Sequence, residues 1–223
     1  MKIAIIGYGK MGHAVEALAS ERGHAVVCRL DKGEPWPERI AADVAVEFTT
    51  PATAAENLLR CFAVGLPVVC GTTGWYDRYD EVAAACRRQG GALLAATNFS
   101  IGMNIMFALN ERLAMLMRGR DDYAVDITET HHIHKLDAPS GTALTLREQI
   151  AECGGRRAES VPIASIREGE VPGTHTVRYS SRIDTLTLTH EAHSREGLAT
   201  GALLAAEWLV GRQGVFTMKD MLS

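Results

Sequence analysis

Residues 2–12 read Lys-Ile-Ala-Ile-Ile-Gly-Tyr-Gly-Lys-Met-Gly, an apolar run followed by three glycines spaced as Gly-x-Gly-x-x-Gly. The apolar run is typical of a strand buried on both faces, and the apolar spacing after the glycines is that of a helix. A second strand-like run, Ala25–Leu30, is followed by Asp31. A strand, a glycine turn, a helix and a strand ending in an acidic residue together form the unit that binds dinucleotides.

The three glycines have separate mechanical reasons: a tight turn, close approach of the backbone to pyrophosphate, and close packing of helix on strand. Asp31 suits the ribose hydroxyls of NADH, whereas Lys32 could accommodate the 2′-phosphate of NADPH. The pattern therefore predicts NADH or NADPH as the cofactor and leaves the choice open. The predicted contacts in this half of the site are Gly7, Tyr8, Gly9, Lys10, Met11, Gly12, Asp31 and Lys32.

The rest of the first hundred residues continues the alternation of strand and helix. Apolar runs predict further strands at 44–48, 67–70 and 92–96, with helical patterns at 52–64 and 76–89 between them. Alternating elements of this kind predict an α/β fold with a Rossmann-like, doubly wound parallel sheet. Ligands bind such sheets at the carboxyl ends of the strands. Two loops fall there, residues 71–75 and 96–100.

The alternation of short strands and helices ends after residue 98. A methionine-rich helical pattern covers 101–117, and strand patterns follow at 123–130, 161–167, 174–180 and 182–189. These elements predict a second, smaller α+β domain. A last helical pattern at 198–209 is expected to return to the first domain. We therefore predict a dinucleotide-binding domain of residues 1–101 and 200–223, and a substrate-binding and oligomerisation domain of residues 102–199.

The amino-acid composition excludes several classes of protein. A net charge of −4 with no long basic run argues against nucleic acid or a membrane surface as a partner. Five scattered cysteines are typical of core residues in a reducing compartment. No leader pattern and no apolar run long enough to span a bilayer are evident in the 223 residues. We expect a cytoplasmic protein that binds a small molecule through local cations.

Residues 129–142 concentrate the remaining chemistry, reading Glu-Thr-His-His-Ile-His-Lys-Leu-Asp-Ala-Pro-Ser-Gly-Thr. Imidazoles and an ammonium group can transfer protons and stabilise negative charge near neutral pH. The Pro-Ser-Gly-Thr turn precedes a helical pattern and so offers free backbone N–H groups to a carboxylate. A metal cluster of His131, His132 and His134 is disfavoured, because three-histidine zinc sites usually draw ligands from more than one segment. We expect no metal here.

This segment closely resembles the E-x-H-H-x-x-K-x-D-A-P-S-G-T-A signature of the 4-hydroxy-tetrahydrodipicolinate reductase (dihydrodipicolinate reductase) family. The resemblance extends over nearly the whole chain, through G-T-T-G at 71–74, A-x-N-F-S at 96–100, H-x-A-x-S-R at 190–195 and G-A-x-x-A-A-x-W at 201–208. It implies reduction of a cyclic imine dicarboxylate to tetrahydrodipicolinate in the diaminopimelate and lysine pathway, by a homotetramer. A glycine loop shorter by one residue than in many members puts cofactor preference in doubt.

The resemblance also implies roles for individual residues. His131 would donate and accept the proton, and Lys135 would donate a proton and stabilise developing negative charge. Glu129 and Asp137 would orient this group. Substrate carboxylates would be bound by His132, Ser140, Gly141, Thr142 and Arg195. The nicotinamide half of the cofactor would contact Gly71, Thr72, Thr73, Ala96, Asn98 and Phe99.

Two alternatives use the same first domain. One is another nicotinamide dehydrogenase of a small amino or keto acid, against which the His-His-x-x-Lys run argues. The other is a redox sensor that binds NAD(P)H without chemistry, since a Rossmann-like fold alone does not establish catalysis. The presence of both His131 and Lys135 disfavours the sensor.

Overall fold

The structure is a computed structural model that describes residues 1–194 and 196–223. The chain forms two compact units. Unit 1 contains Met1–Ser100 and Glu196–Ser223, and unit 2 contains Ile101–Arg195. The chain thus leaves unit 1 once and returns to it. The roles assigned to these two parts of the chain stay predictions.

Unit 1 is built on a six-stranded sheet in the order β10-β5-β4-β3-β1-β2. Every neighbouring pair is parallel. The strands are β1 (Lys2–Ile6), β2 (Ala25–Leu30), β3 (Val44–Glu47), β4 (Val68–Cys70), β5 (Ala92–Ala95) and β10 (Gly214–Phe216). The helices are α1 (Lys10–Glu21), α2 (Pro51–Ala63), α3 (Tyr79–Arg88), α6 (Glu196–Leu209) and α7 (Met218–Leu222). The predicted doubly wound parallel sheet is confirmed.

The central strands are apolar throughout because both faces of the sheet are covered. All residues of β3 and β4 are buried, and β1 is buried from Ile3 onward. Residues 31–43, between β2 and β3, form no helix. The strand order reverses between β1 and β3, so the loops after these two strands lie at the point where such sheets bind ligands.

Unit 2 contains a mixed sheet in the order β7-β6-β8-β9. Its strands are β6 (Ala124–His131), β7 (Ile163–Arg167), β8 (Gly173–Ser180) and β9 (Thr185–Ala192), and its helices are α4 (Ile101–Leu116) and α5 (Gly141–Gly154). The inner face of the sheet and the two helices enclose one apolar core. Its buried members include Met103, Leu146, Ile127 and Val177.

Strict alternation along β6 and β8 decides which side chains face inward. Val125, Ile127, Glu129 and His131 are buried in β6. In β8 the buried residues are Gly173, His175, Val177 and Tyr179. Glu129 pairs directly with His175 in the antiparallel ladder. Polar and ionisable groups therefore share one end of an otherwise apolar face.

The secondary structure differs from the prediction in several places, including the start of β7, which lies at Ile163 rather than at residue 161. The last strand of unit 2 begins at Thr185 rather than at residue 182, because residues 181–184 form a tight turn in which the amide of Asp184 donates to Ser181 Oγ. Strand β10 and helix α7 were not predicted at all. Among the described residues, no helix is both long enough and apolar enough to cross a membrane.

Candidate active site

The glycine loop after β1 has the close packing that its spacing predicts. Gly7 has a φ of +92°, and a Cβ atom there would lie 1.9 Å from the carbonyl oxygen of Phe48. A Cβ atom on Gly12 would lie 2.4 Å from the carbonyl oxygen of Gly7. By contrast, apart from the residues adjacent to it in the chain, no described residue has an atom within 4 Å of the same position on Gly9. The loop therefore packs tightly on its inner side and leaves its middle glycine open to a ligand.

Helix α1 begins directly after this open glycine. Gly9 is the N-cap residue, and no side chain among the described residues caps the first turn. Backbone N–H groups at such a start are a ready site for phosphate. The amide of Gly7 donates to the carbonyl of Leu30 at 2.8 Å, which places Asp31 and Lys32 beside the loop with both side chains exposed. The loop thus fits the pyrophosphate and adenosine ribose of a dinucleotide.

Tyr8 is held by an ionic network on the loop. Its hydroxyl donates to Glu16, which also forms an ion pair with Arg29. The guanidinium carbon of Arg29 lies 5.8 Å from the centre of the Tyr8 ring. The hydrogen bond to Glu16 raises the pKa of Tyr8. This network fixes the aromatic ring before any ligand arrives, whereas Lys10 is exposed and Met11 half-buried.

The loop after β4 is anchored through its backbone and one hydroxyl. The indole of Trp75 donates to the carbonyl of Thr72 at 2.8 Å, and the amide of Thr49 donates to Thr72 Oγ1 at 2.7 Å. A Cβ atom on Gly71 would lie 2.0 Å from the Phe48 ring. Thr73 is exposed. These contacts tie the loops after β3 and β4 together at the predicted ligand-binding edge.

The loop after β5 contributes a packed aromatic side chain. Phe99 is buried and meets Phe48 edge to face with ring centres 6.1 Å apart. Asn98 Oδ1 accepts a hydrogen bond from the amide of Ser100 at 2.9 Å, and Ala96 is half-buried. The side chain of Phe99 therefore belongs to the core. Its predicted contact with nicotinamide stays a prediction, which the backbone of this loop would have to make.

The sequence patterns missed a buried carboxylate beneath these loops. Glu47, the last residue of β3, is fully buried and accepts hydrogen bonds from Cys70 Sγ at 3.1 Å and from the Thr49 hydroxyl. Asn57 donates to the same carboxylate at 3.4 Å. An acidic residue in an apolar strand was the available signal. Glu47 joins β3, β4 and α2 where the loops begin.

In unit 2, the chemistry centres on Glu129, which is fully buried on the inner face of β6. Its Oε1 accepts hydrogen bonds from the amide of Ser140 at 3.0 Å and from Arg167 Nη2 at 3.2 Å. Its Oε2 lies 3.3 Å from His131 Nδ1 and 3.8 Å from His175 Nε2. Burial acts to raise the pKa of Glu129, but hydrogen bonds from groups including Ser140 and Arg167 outweigh it and hold the pKa below its usual range. The carboxylate is therefore ionised at neutral pH.

His131 is the last residue of β6 and is buried beside this carboxylate. Burial lowers its pKa, since a charged imidazole is poorly solvated there, and the negative charge of Glu129 offsets only part of that effect. A Cβ atom on Gly173 would lie 3.1 Å from His131 Nε2. The absence of a side chain at residue 173 leaves room around this nitrogen, while Nδ1 faces Glu129.

The predicted cation Lys135 lies in the turn after β6. Its Nζ forms an ion pair with Asp137 Oδ1 at 2.8 Å. This hydrogen bond is the main reason that the pKa of Asp137 is lowered. His132 is half-buried, whereas His134 is largely exposed and pairs with the exposed Glu170 at 3.1 Å. The structure therefore separates His134 from the buried group that contains His131.

The Pro-Ser-Gly-Thr turn is a capped helix start, as its sequence predicts. Ser140 is the N-cap of α5, and its hydroxyl oxygen accepts from the amide of Ala143 at 3.2 Å. Gly141 is exposed, and Thr142 is half-buried in the first turn. Because the amide of Ser140 is bonded to Glu129, the same carboxylate positions both the helix start and His131.

Two residues of this cluster were not predicted. His175 on β8 is buried, and its Nε2 lies 3.3 Å from Ser140 Oγ. Arg167 at the end of β7 also donates to the carbonyl of Asp137 at 2.5 Å. The pattern of alternation in β8 places His175 inward, and a lone inward histidine was the available signal. Arg195, a predicted carboxylate ligand, lies outside the described residues.

Glu129, His131 and His175 each offer a metal-ligating atom, and these atoms lie within 4.8 Å of one another. The Arg167 guanidinium and the Ser140 amide already satisfy Glu129 Oε1. A positive charge at this distance also repels a divalent cation. The arrangement is therefore better explained as a buried carboxylate paired with Arg167 and two imidazoles than as a metal centre.

Comparison with known proteins agrees with both units. Residues 1–99 match the family model described as dihydrodipicolinate reductase, N-terminus, and residues 102–222 match the model for the C-terminus. The chain belongs to the dihydrodipicolinate reductase family. The N-terminal domain of this family is the NAD(P)-binding domain, and its members are NAD(P)H-dependent oxidoreductases.

Curated relatives match over nearly their whole length. The 4-hydroxy-tetrahydrodipicolinate reductase of Christiangramia forsetii is 45% identical over 234 residues, covering 100% of this chain and 98% of that protein. The enzyme of the same name from Akkermansia muciniphila is 36% identical, covering 96% and 94%. A solved dihydrodipicolinate reductase from Paenisporosarcina sp. TG-14, with dipicolinate bound, has a TM-score of 0.83 at 22% identity, covering 97% of each chain. That likeness supports the fold.

Proposed function

We propose that this chain reduces 4-hydroxy-tetrahydrodipicolinate to tetrahydrodipicolinate with NADH or NADPH, in diaminopimelate and lysine biosynthesis. The observation that carries the proposal is 45% identity to a curated reductase across the whole chain. Both sets of chemical groups that the reaction needs are present in that span. They are the open glycine loop of unit 1 and the buried Glu129–His131 pair of unit 2.

Residues of unit 1 would hold the dinucleotide. Gly9 and the first turn of α1 offer backbone N–H groups to the pyrophosphate, and Asp31 accepts hydrogen bonds from the ribose. The loops that contain Thr72 and Asn98 would line the nicotinamide half. When bound, the reduced nicotinamide supplies the hydride. Support comes from the free first turn of α1 and from the position of Asp31 beside the glycine loop.

Residues of unit 2 would supply the proton and bind the dicarboxylate. Glu129 orients His131 through Nδ1, which directs Nε2 to the substrate. Burial keeps the pKa of His131 low in the free protein, and two substrate carboxylates nearby would raise it again. Lys135, held by Asp137, would donate a proton and stabilise negative charge as it develops. Binding of substrate thus prepares the acid that the reaction consumes.

The start of α5 would seat one substrate carboxylate. Ser140, Gly141 and Thr142 lie in its first turn, where the helix dipole and backbone N–H groups favour an anion. His132 would bind the carboxylates as well. Arg195 is proposed as a further ligand because its guanidinium geometry matches a carboxylate.

The test is turnover of freshly prepared substrate, followed by loss of reduced-nicotinamide absorbance with NADH and, separately, with NADPH. Consumption with either cofactor supports the proposal. Cofactor binding without consumption would favour the redox sensor. His131→Gln should lower kcat by roughly 10²–10⁴-fold, as expected for a general acid–base group. The exposed His134→Ala is the matched control and should stay near the wild-type value.

We further propose a homotetramer in the cytoplasm. Strand β9 is an edge of the unit 2 sheet, and an exposed edge invites pairing. The outward-facing residues of β8 and β9 include Thr174, Thr176, Thr187 and Thr189, a polar face suited to association between copies. The five cysteines are unpaired, which fits a reducing compartment. Light scattering that gives the mass of a monomer across micromolar concentrations would refute the tetramer.

A further inference from the structure

His175 is a buried histidine to which the proposed reaction gives no role. It lies on the inner face of β8, directly opposite Glu129 in the ladder with β6 and opposite His190 in the ladder with β9. Its ring meets that of His131 edge to face, with centres 5.0 Å apart. An imidazole is a costly residue to bury unless its nitrogens are used.

The two nitrogens of His175 have different surroundings. Nε2 lies 3.3 Å from Ser140 Oγ and 3.8 Å from Glu129 Oε2. Within the described part of the chain, Nδ1 has no hydrogen-bond partner. Because a buried N–H without an acceptor is rare, the proton belongs on Nε2, where Ser140 Oγ can accept it and the negative charge of Glu129 lies nearby. Burial lowers the pKa of His175 to about 4, so the ring is neutral at physiological pH.

This tautomer determines how Ser140 can bond. The hydroxyl oxygen already accepts from the amide of Ala143 at 3.2 Å. A second hydrogen bond, from His175 Nε2–H, occupies its other lone pair. A serine hydroxyl has two acceptor sites and one donor. With both acceptor sites filled, the O–H of Ser140 is its remaining hydrogen-bonding group, a donor that interacts with the Glu129 carboxylate in the free protein and that a carboxylate ligand would take over.

We propose that His175 is a positioning residue that orients the Ser140 hydroxyl as a hydrogen-bond donor toward a carboxylate of the substrate. The inference rests on the proposed function only for the identity of that carboxylate. The same contact places His175 against Glu129, and it joins the carboxylate-binding turn to the proton-transfer pair. A histidine that served packing alone would not need Nε2 to face Ser140.

A matched pair of variants tests whether the side chain at residue 175 must extend as far as Nε2 or need only be polar. In His175→Gln the side-chain amide nitrogen reaches about as far as Nε2, whereas in His175→Asn it reaches only about as far as Nδ1. The expected effect of His175→Asn is a rise of roughly 3–10-fold in the substrate KM, the size of one hydrogen bond. The change in kcat should be under about threefold, and His175→Gln should recover most of the affinity.

Two control variants test whether the effect is specific to the contact between His175 and Ser140. His24→Gln removes a part-buried histidine that bonds to Glu207 at 2.7 Å in unit 1, and it should leave the substrate KM unchanged. Ser140→Ala combined with His175→Asn should be no worse than Ser140→Ala alone, since coupled residues are not additive. The proposal would be overturned if the increases in substrate KM of Ser140→Ala and His175→Asn multiplied in the double variant. It would also be overturned if the substrate KM of His175→Gln were no lower than that of His175→Asn.

Binding of dipicolinate by calorimetry should follow the same order of variants without turnover. This readout distinguishes failure of the inference from failure of the proposed reaction. If the variants do not fold, nitrogen NMR of the wild-type protein still decides the question. At pH 7 the His175 ring should be the Nε2-protonated tautomer, and a ring protonated on Nδ1 would contradict the proposal.

Discussion

Substitution of Glu129 by glutamine removes one charge from the centre of the unit 2 cluster and leaves its shape almost unchanged. A glutamine carbonyl can still accept from the amide of Ser140 and from Arg167, which Glu129 Oε1 does now at 3.0 and 3.2 Å. The amide nitrogen then faces His131 Nδ1 in place of the charged oxygen. The variant therefore isolates the interaction between the carboxylate and the imidazole.

The size of the effect follows from the contact that is lost. Glu129 Oε2 and His131 Nδ1 lie 3.3 Å apart as an ion pair, without hydrogen-bond geometry between them. An opposite charge this close shifts a pKa by about 1–3 units, at about 1.4 kcal/mol per unit, and the poor alignment favours the lower end of that range, about 1.4–2 kcal/mol. At about 1.4 kcal/mol per factor of ten, kcat should fall roughly 10–30-fold. Since Glu129 raises the pKa of His131, its removal should also move the acid-dependent part of the pH profile to lower pH.

The assay is kcat at saturating substrate and NADH, measured from pH 5 to 9. Glu170→Gln is the matched control, because it removes a carboxylate at 3.1 Å from an exposed histidine, His134. That variant should keep kcat within about twofold, since exposed ion pairs contribute little. A Glu129→Gln enzyme with wild-type kcat and pH profile would refute the role of the carboxylate, as would equal losses in the two variants.

Three further outcomes are expected. Asp31→Ala should shift the ratio of kcat/KM values toward NADPH, and an unchanged ratio would show that Asp31 does not bind the ribose. Lys135→Ala should lower kcat by roughly 10²–10⁴-fold with little change in the KM for cofactor, because the residue acts on the proton and the developing charge. Burial acts to raise the pKa of Glu207, but hydrogen bonds from His24 and Arg22 outweigh it and hold the folded-state pKa below the unfolded value of about 4.3. The contribution of Glu207 to stability is therefore complete above the unfolded pKa and is lost as the pH falls through the folded pKa. Thermal unfolding should therefore separate the wild type from Glu207→Gln at pH 7 and bring the two together once the pH lies below the folded pKa of Glu207, where its carboxyl group is protonated and, like glutamine, uncharged.

The parts of the fold that the sequence predicts are those with strong periodicity. Strands β1, β3 and β4 are buried on both faces and so appear as unbroken apolar runs. The start of β9 was misplaced because Ile183 is apolar but lies in an exposed turn, where backbone geometry decides the structure. Strand β10 has only three residues, too few to show a period, and it forms because β5 offers a partner.

The candidate site likewise contains residues that the sequence predicts and residues that only the structure reveals. Gly7, Gly12, His131 and Ser140 belong to local motifs whose spacing alone indicates their geometry. His175 and Arg167 come from other strands, and they join the cluster only through the pairing of β6 with β7 and β8. Long-range pairing is not visible in a single sequence. Its contribution to this site therefore had to come from the structure.

The division of unit 1 into two separate stretches of chain bears on how the protein folds during synthesis. Helix α6 buries seven residues, and a Cβ atom on Gly201 would lie 1.7 Å from the carbonyl oxygen of Phe99, so the helix fits closely against the loop after β5. Residues 196–223 leave the ribosome only after all of unit 2. Until then, the nascent first hundred residues would expose an apolar sheet face and an unpaired β5 edge, both of which promote aggregation. Unit 2, whose chain is continuous, can complete its fold before unit 1 does.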